Sequence, residues 1–242
     1  MLELQQIRAG YGHLQVLFDI DLRVEAGEMV TIVGANGAGK STLLKTILGA
    51  VNATSGEILF LGERVTHMPA HRRVQTGIAL SPEGRQVFAS LSVRENLVSG
   101  TFGLPAKDVK KQIDHVYDLF PRLRERTNQR AGSLSGGEQQ MLAVGRALMS
   151  QPRLVLVDEL SLGLAPIIVE KLYGALRQLC EAGLAVVMVE QFHLAVAGRA
   201  DKQFALDKGR FVDVGATVGN SHSNGHGARD AALIHATEGR ER

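Results

Sequence analysis

A single cysteine, Cys180, is too few for an intramolecular disulfide, so packing and not covalent crosslinks must hold this chain together. Cys180 falls in an apolar-periodic segment and reads as a reduced core thiol. Long apolar runs are lacking too. The longest wholly apolar stretch, Leu184 to Val189, is far shorter than the ~20 residues that span a bilayer. Met1 to Gln6 contains Glu3 and has no basic start leading into an apolar run, so no secretory signal is expected. The expectation is a cytosolic chain, and any membrane process it serves needs other subunits to provide the membrane. A charge excess of one sign is also missing. The 27 basic minus 25 acidic residues leave +2, and bulk charge gives no case for nucleic-acid binding.

What is present suits a globular chain. With 242 residues, 45% hydrophobic and 21% charged, a substantial core is expected in one large domain or one domain with a sub-lobe. Short β-rich runs alternate with helical patterns, which predicts an α/β fold with a largely parallel sheet. Leu2–Ile7 and Val16–Leu22 read as antiparallel strands around a turn at Gly10 to Gly12. Glu28–Val33 reads as a buried strand, Ser41–Leu48 as a helix closed by Gly49, and Glu57–Leu61 and Ile78–Ser81 as strands.

From about 91 to 150 the pattern changes. β-branched runs nearly vanish, and Lys107–Phe120 and Glu138–Met149 carry apolar residues at helical spacing, which reads as an inserted helical lobe. The β/α pattern then resumes with strand Leu154–Val157, helix Ile167–Glu181, strand Ala185–Val189, and strands near Phe204–Leu206 and Arg210–Val212. Thr217 to Gly227 is rich in Gly, Ser, Asn and His and reads as a mobile tail, with one short helix possible at 228–236. His222 and His226 are four apart, but a metal site needs more ligands and an ordered frame, so they read as solvated.

Two motifs carry chemistry by themselves. GANGAGKST, Gly34 to Thr42, fits G-x-x-x-x-G-K-[ST], and it follows a strand and opens a helix, as phosphate binding requires. Its glycines let backbone N–H groups approach phosphates, and the helix N-terminus favours an anion. The nucleotide-contacting residues predicted here are Gly34, Asn36, Gly37, Ala38, Gly39, Lys40, Ser41 and Thr42. Lys40 is expected to reach the β- and γ-phosphates of ATP, and the Ser41 hydroxyl to coordinate Mg²⁺. RLVLVDE, Arg153 to Glu159, is an apolar strand ending in two acids. Asp158 is placed to hold the metal's water shell, and Glu159 to act as general base on the attacking water. Many buried strands end in an acid, so this second motif gains its meaning from the first.

LSGGEQQ, Leu134 to Gln140, resembles the signature motif of ABC ATPases, and the order of all three motifs resembles that family over about residues 1 to 215. The resemblance implies a P-loop NTPase core with a mixed β-sheet, an antiparallel β subdomain and an inserted helical subdomain, over residues 1–216. It implies ATP and Mg²⁺ as cofactors. By the same resemblance, Ser135, Gly136 and Gly137 would contact a nucleotide held by a second ABC ATPase subunit. Ser135 with Glu138 also reads as a capping box, an arrangement that exposes the same helix N-terminus. Tyr11 falls where an aromatic stacks on adenine, the alternative being an exposed turn tyrosine. Ser161 to Pro166 resembles the loop that crosses the dimer interface.

Four positions depart from the general pattern. Glu83 stands where a glutamine usually senses Mg²⁺ and the γ-phosphate, and as a carboxylate it would be a metal ligand. Gln191 replaces the switch histidine; its amide can still donate to the γ-phosphate but has no charge. Ala165 replaces an interface Asp, and Leu160 replaces the usual Pro, with a modest effect expected on loop rigidity. PEGRQVF, SLGLAP and VEQ together resemble the smaller ATPase of branched-chain amino acid importers, with urea and amide importers similar.

The resemblance implies two integral-membrane permease subunits, an extracytoplasmic binding protein acting indirectly, and a peripheral position on the cytoplasmic face of the inner membrane. It also implies a groove between the helical lobe and the Glu83 segment that receives a permease helix. Two other classes stay open. A soluble ABC ATPase of translation or DNA maintenance usually has two ATPase domains or a long coiled-coil insertion, which this sequence lacks. A low-turnover regulatory subunit would fit the four departures but not the intact Lys40, Ser41, Asp158 and Glu159.

Overall fold

The computed structural model describes residues 1–191 and 198–212. The expectations for the stretch from Thr217 to Gly227, the helix at 228–236, and His222 and His226 lie outside these residues. The chain opens with β1 (Leu2–Tyr11) and β2 (Leu14–Val24), an antiparallel hairpin. Its turn is tighter than expected, because Tyr11 already pairs with Leu14. Gly10 belongs to the strand and not to the turn. A Cβ there would meet the Leu14 carbonyl oxygen at 2.0 Å, so the glycine permits close backbone approach. With β4 (Ala53–Phe60) and β5 (Glu63–Arg64) the hairpin forms a four-stranded sheet of order β2-β1-β4-β5.

The second sheet has six strands in the order β10-β9-β3-β8-β7-β6. These are β3 (Met29–Val33), β6 (Ile78–Ser81), β7 (Leu154–Asp158), β8 (Ala185–Glu190), β9 (Lys202–Asp207) and β10 (Arg210–Val212). The β3/β8, β3/β9, β7/β8 and β6/β7 pairs are parallel, and β10 runs antiparallel to β9, so the sheet is mixed. Strand side chains alternate between two cores. Val30, Ile32, Leu154, Leu156, Val187 and Val189 face the hairpin sheet and α1 (Lys40–Leu48). Met29, Val33, Val155, Val157, Val186 and Met188 face α7 (Pro166–Glu181) and the helical lobe. Burial on both faces explains why these strands read as continuous apolar runs.

The lobe contains α3 (Val93–Val98), α4 (Ala106–Leu119), α5 (Pro121–Glu125) and α6 (Gly136–Leu148). One helix, α2 (Ala70–Thr76), was not legible from periodicity, since AHRRVQT has a single large apolar residue. A buried guanidinium holds it instead. Arg73 donates to the carbonyls of Thr46, Ile47, Thr66 and Met68, each at 2.8 Å, and so caps the end of α1. Cys180 is buried in α7, and burial pushes its thiol up to about 11, which suits an unreactive core residue.

Candidate active site

The site sits where β3, β6, β7 and β8 end, all at the carboxyl edge of the parallel strands, where open α/β sheets bind ligands. The backbone after β3 is shaped by glycine. A Cβ on Gly34 would lie 2.4 Å from the Leu206 carbonyl oxygen, and Gly39 begins α1 at φ 109°. No larger residue takes both places without strain. The loop thereby turns directly into α1, and Ala38 is buried beneath it. Lys40 is 5% exposed, and its ammonium donates to the carbonyls of Gly34 at 2.8 Å and Ala35 at 3.2 Å.

A cleft of about 370 Å³ opens above this loop, lined by Asn36, Gly37, Gly39, Lys40, Ser41, Thr42, Val16, Glu83 and Glu159. Lys40 lies 3.4 Å from Glu159 Oε1, and the Ser41 hydroxyl donates to Asp158 Oδ1 at 3.2 Å. Burial, together with Glu83 and Glu159 nearby, raises the Asp158 carboxyl above its ordinary range against the pull of Ser41 and Lys40. One lysine thus faces several carboxylates, a balance that calls for further positive charge. Glu159 itself has φ 50°, left-handed for a non-glycine residue, and its amide donates to the Val189 carbonyl at 3.0 Å.

The other predicted residues fall at different distances from this centre. The Tyr11 hydroxyl stands 3.4 Å from Thr42 Oγ1, and the ring is 48% exposed, open to stack on a flat ligand. Gln191 follows β8 directly, after Glu190, whose carbonyl accepts from Gly34 N–H at 3.2 Å. Ser135, Gly136 and Gly137 do not line the phosphate cleft. Ser135 caps α6 in a capping box with Glu138 and lines a separate cleft with Phe120, Met141, Ile168 and Lys171. Gly137 packs so closely on Ile168 that a Cβ would come within 2.8 Å of it, and Gly136 meets the Arg85 guanidinium at a similar distance.

Two residues have packing roles that their spacing along the chain did not show. Leu160 is 0% exposed and packs in the helical-side core. Beside the modest effect expected on loop rigidity, its buried side chain ties the loop to that core. Glu190 is 1% exposed and accepts from Ser161 N–H at 3.1 Å, Ser161 Oγ at 2.7 Å and Tyr173 Oη at 3.4 Å. Burial raises its carboxyl above the ordinary range and raises the Tyr173 phenol as well. The available signal was a glutamate closing an otherwise wholly apolar strand.

A glycine-lined phosphate loop, a lysine across from a strand-end acid pair, and a capped signature helix on a separate face stand together in one chain. The ABC transporter family pattern matches residues 17–161. The chain belongs to the ABC transporter family. Among its relatives, the high-affinity branched-chain amino acid transport ATP-binding protein BraG of Pseudomonas aeruginosa is 48% identical over 220 residues, covering 90% of this chain and 94% of that protein. The probable branched-chain amino acid transport ATP-binding protein LivF of Archaeoglobus fulgidus is 37% identical, covering 87% and 89%. A nucleotide-free ATP-binding cassette from an ABC transporter superposes with a TM-score of 0.79 at 24% identity, covering 88% and 89% of the two chains, and shares the fold. No helix among the described residues of this ABC transporter chain is long and apolar enough to cross a membrane.

Proposed function

We propose that this chain is the ATP-hydrolysing subunit of an importer for branched-chain amino acids. The observation that carries this reading is the convergence of Lys40, Ser41, Asp158, Glu159 and Glu83 at the cleft above the phosphate loop, in a chain 48% identical to BraG. ATP enters the cleft with its adenine on Tyr11 and its phosphates on the N–H groups of residues 36–42. Lys40 then leaves its loop carbonyls and Glu159 for the β- and γ-phosphates. That exchange frees the Glu159 carboxylate to take a proton from the attacking water. Gln191 donates to the γ-phosphate from the end of β8.

Mg²⁺ arrives as part of the substrate. Among the described residues no three His, Cys, Asp or Glu side chains lie close enough to hold a metal unaided. Ser41, Asp158 and Glu83 would hold it, and the surplus of carboxylate around Lys40 fits the charge it would bring. Bound there, the ion offsets charge on the transferring phosphoryl group.

Ser135 to Gly137 sit away from the phosphate cleft, and this supports a second ATPase subunit whose nucleotide they contact. Phe88 and Phe102, each 51% exposed, line a groove between the lobe and the Glu83 segment with Leu80, Pro82 and Gly100. That groove receives a helix from one of two permease subunits, which places the chain on the cytoplasmic face of the membrane with an extracytoplasmic binding protein beyond. The test is uptake of labelled leucine, isoleucine and urea by cells lacking the chain, or carrying it or its Lys40→Ala form. Loss of leucine and isoleucine uptake that only the intact chain restores supports the proposal. Loss of urea uptake alone changes the cargo, and no change in any uptake overturns the transport reading.

A further inference from the structure

Glu190 has no part in the chemistry just described, yet it touches each of the segments that perform it. Its backbone carbonyl accepts from Gly34 N–H at 3.2 Å, at the root of the phosphate loop. The residue before it, Val189, accepts from the amide of Glu159 at 3.0 Å, and the residue after it is Gln191. Its carboxylate gathers the amide and hydroxyl of Ser161, two residues beyond Glu159, and the hydroxyl of Tyr173 on α7. A charged side chain at 1% exposure is costly, and three donors converging on it are what allow it to stay.

We infer that Glu190 is a positioning residue for hydrolysis, a brace that holds the 159–161 segment in register with the phosphate loop and with Gln191. The inference rests on the reading of Glu159 as general base. Glu159 stands in a left-handed backbone conformation at φ 50°, which persists only where its surroundings over-determine it. The hydrogen bond from its amide to the Val189 carbonyl holds one side of that residue, and the Glu190–Ser161 pair holds the other. Without the second hold, the carboxylate has room to drift from the line of attack. Small displacements of a catalytic group cost rate steeply while leaving ground-state binding almost untouched.

The donor pattern makes this separable from a role for the charge. Oε1 accepts from Ser161 N–H and Tyr173 Oη, while Oε2 accepts from Ser161 Oγ alone. A glutamine fits the same frame: its oxygen accepts the first two, and its amide donates to the serine hydroxyl, which reverses direction. A brace survives Glu190→Gln, and a charge does not.

The experiment measures steady-state ATPase activity and ATP-analogue affinity of the full chain, with melting temperature as a check on folding. Glu190→Ala is expected to lower kcat about 10-fold or more while affinity changes less than about twofold, and Glu190→Gln to stay within about threefold of the wild-type kcat. Ser161→Ala, which removes one hydroxyl and leaves the fold intact, is expected to reproduce part of the loss, and it carries the test if Glu190→Ala does not fold. Hydrogen exchange at the Ser161 amide should quicken in Glu190→Ala and stay slow in Glu190→Gln. Wild-type kcat in both Glu190→Ala and Ser161→Ala overturns the brace. Equal losses in Glu190→Ala and Glu190→Gln assign the effect to charge and overturn it too. A folded wild-type chain that binds the analogue but does not turn over, even together with its partner ATPase subunit, refutes the ATPase reading itself, and that result is distinct from the others.

Discussion

The Lys40 ammonium and the Glu159 carboxylate stand 3.4 Å apart, an ion pair between the phosphate loop and the end of β7 with both side chains less than a tenth exposed. On the proposed reading, phosphate and carboxylate compete for the same lysine. In this structure the carboxylate and two loop carbonyls hold it. The pairing leaves neither the buried cation nor the buried anion without a partner.

Removing either partner should therefore give different phenotypes. Glu159→Gln is expected to bind ATP and to lose turnover by roughly 100-fold or more, the scale of a lost general base. Near-normal steady-state hydrolysis would place the base elsewhere. Lys40→Ala is expected to lose about 10-fold or more in ATP affinity, the scale of a charge-assisted contact. Equilibrium binding of a fluorescent ATP analogue to both variants separates the two effects.

Gln191→Ala should be milder. A neutral amide donor contributes on the order of 1 kcal/mol, so hydrolysis is expected to slow by about 2–10-fold, and by less than in Lys40→Ala. Equal losses in the two variants would mean that the glutamine fully replaces a charged switch residue.

Asp158 carries a testable sign in stability. Its folded-state carboxyl is raised, by burial first and by Glu83 and Glu159 after that. The native state thus keeps this proton to higher pH than the unfolded chain does, and stability falls as pH rises from the ordinary carboxylate range through the raised one. Asp158→Asn removes that cost while its amide oxygen still accepts from Ser41. Its melting temperature, measured without nucleotide or divalent cation, is expected to exceed wild type at neutral pH by roughly 2–4 °C for each kcal/mol relieved. The gain should fade on acidification, where the wild-type group is already neutral. A lower melting temperature at neutral pH would mean the carboxylate is not strained.

Leu160→Pro, which restores the residue usual in the family, should destabilise this chain. The leucine side chain is fully buried among the helical-side core residues, and proline leaves part of that volume empty. The expected cost is about 1–3 kcal/mol, toward the low end for removing leucine side-chain volume from a core. Urea denaturation of the nucleotide-free chain measures it, and an unchanged midpoint would show that the core closes around proline.

Much of this site was legible along the chain because its parts are local. A phosphate loop is one turn between a strand and a helix, so GANGAGKST contains its own geometry: a Cβ on Gly34 would strike backbone, Gly39 takes a left-handed φ, and Lys40 begins α1. The Ser135–Glu138 capping box likewise spans only four residues and formed as read. Gly10 misled because a glycine permits a turn and a close strand approach equally well, and only the β1–β2 register decides between them. α2 was missed because a buried arginine stabilises it, and hydrophobic periodicity has no signal for that.

The sequence by itself determined the α/β alternation, the phosphate loop, the two acids after β7 and the membership these imply, since each depends on neighbours within a few residues. Tertiary structure alone decided that Glu83 and Glu159 share one cleft with Lys40, that Leu160 is core, and that Glu190 braces Ser161 across 29 residues of chain. Those relations follow from strand order and register, which place residues distant in sequence at the same sheet edge. Spacing along the chain does not encode them.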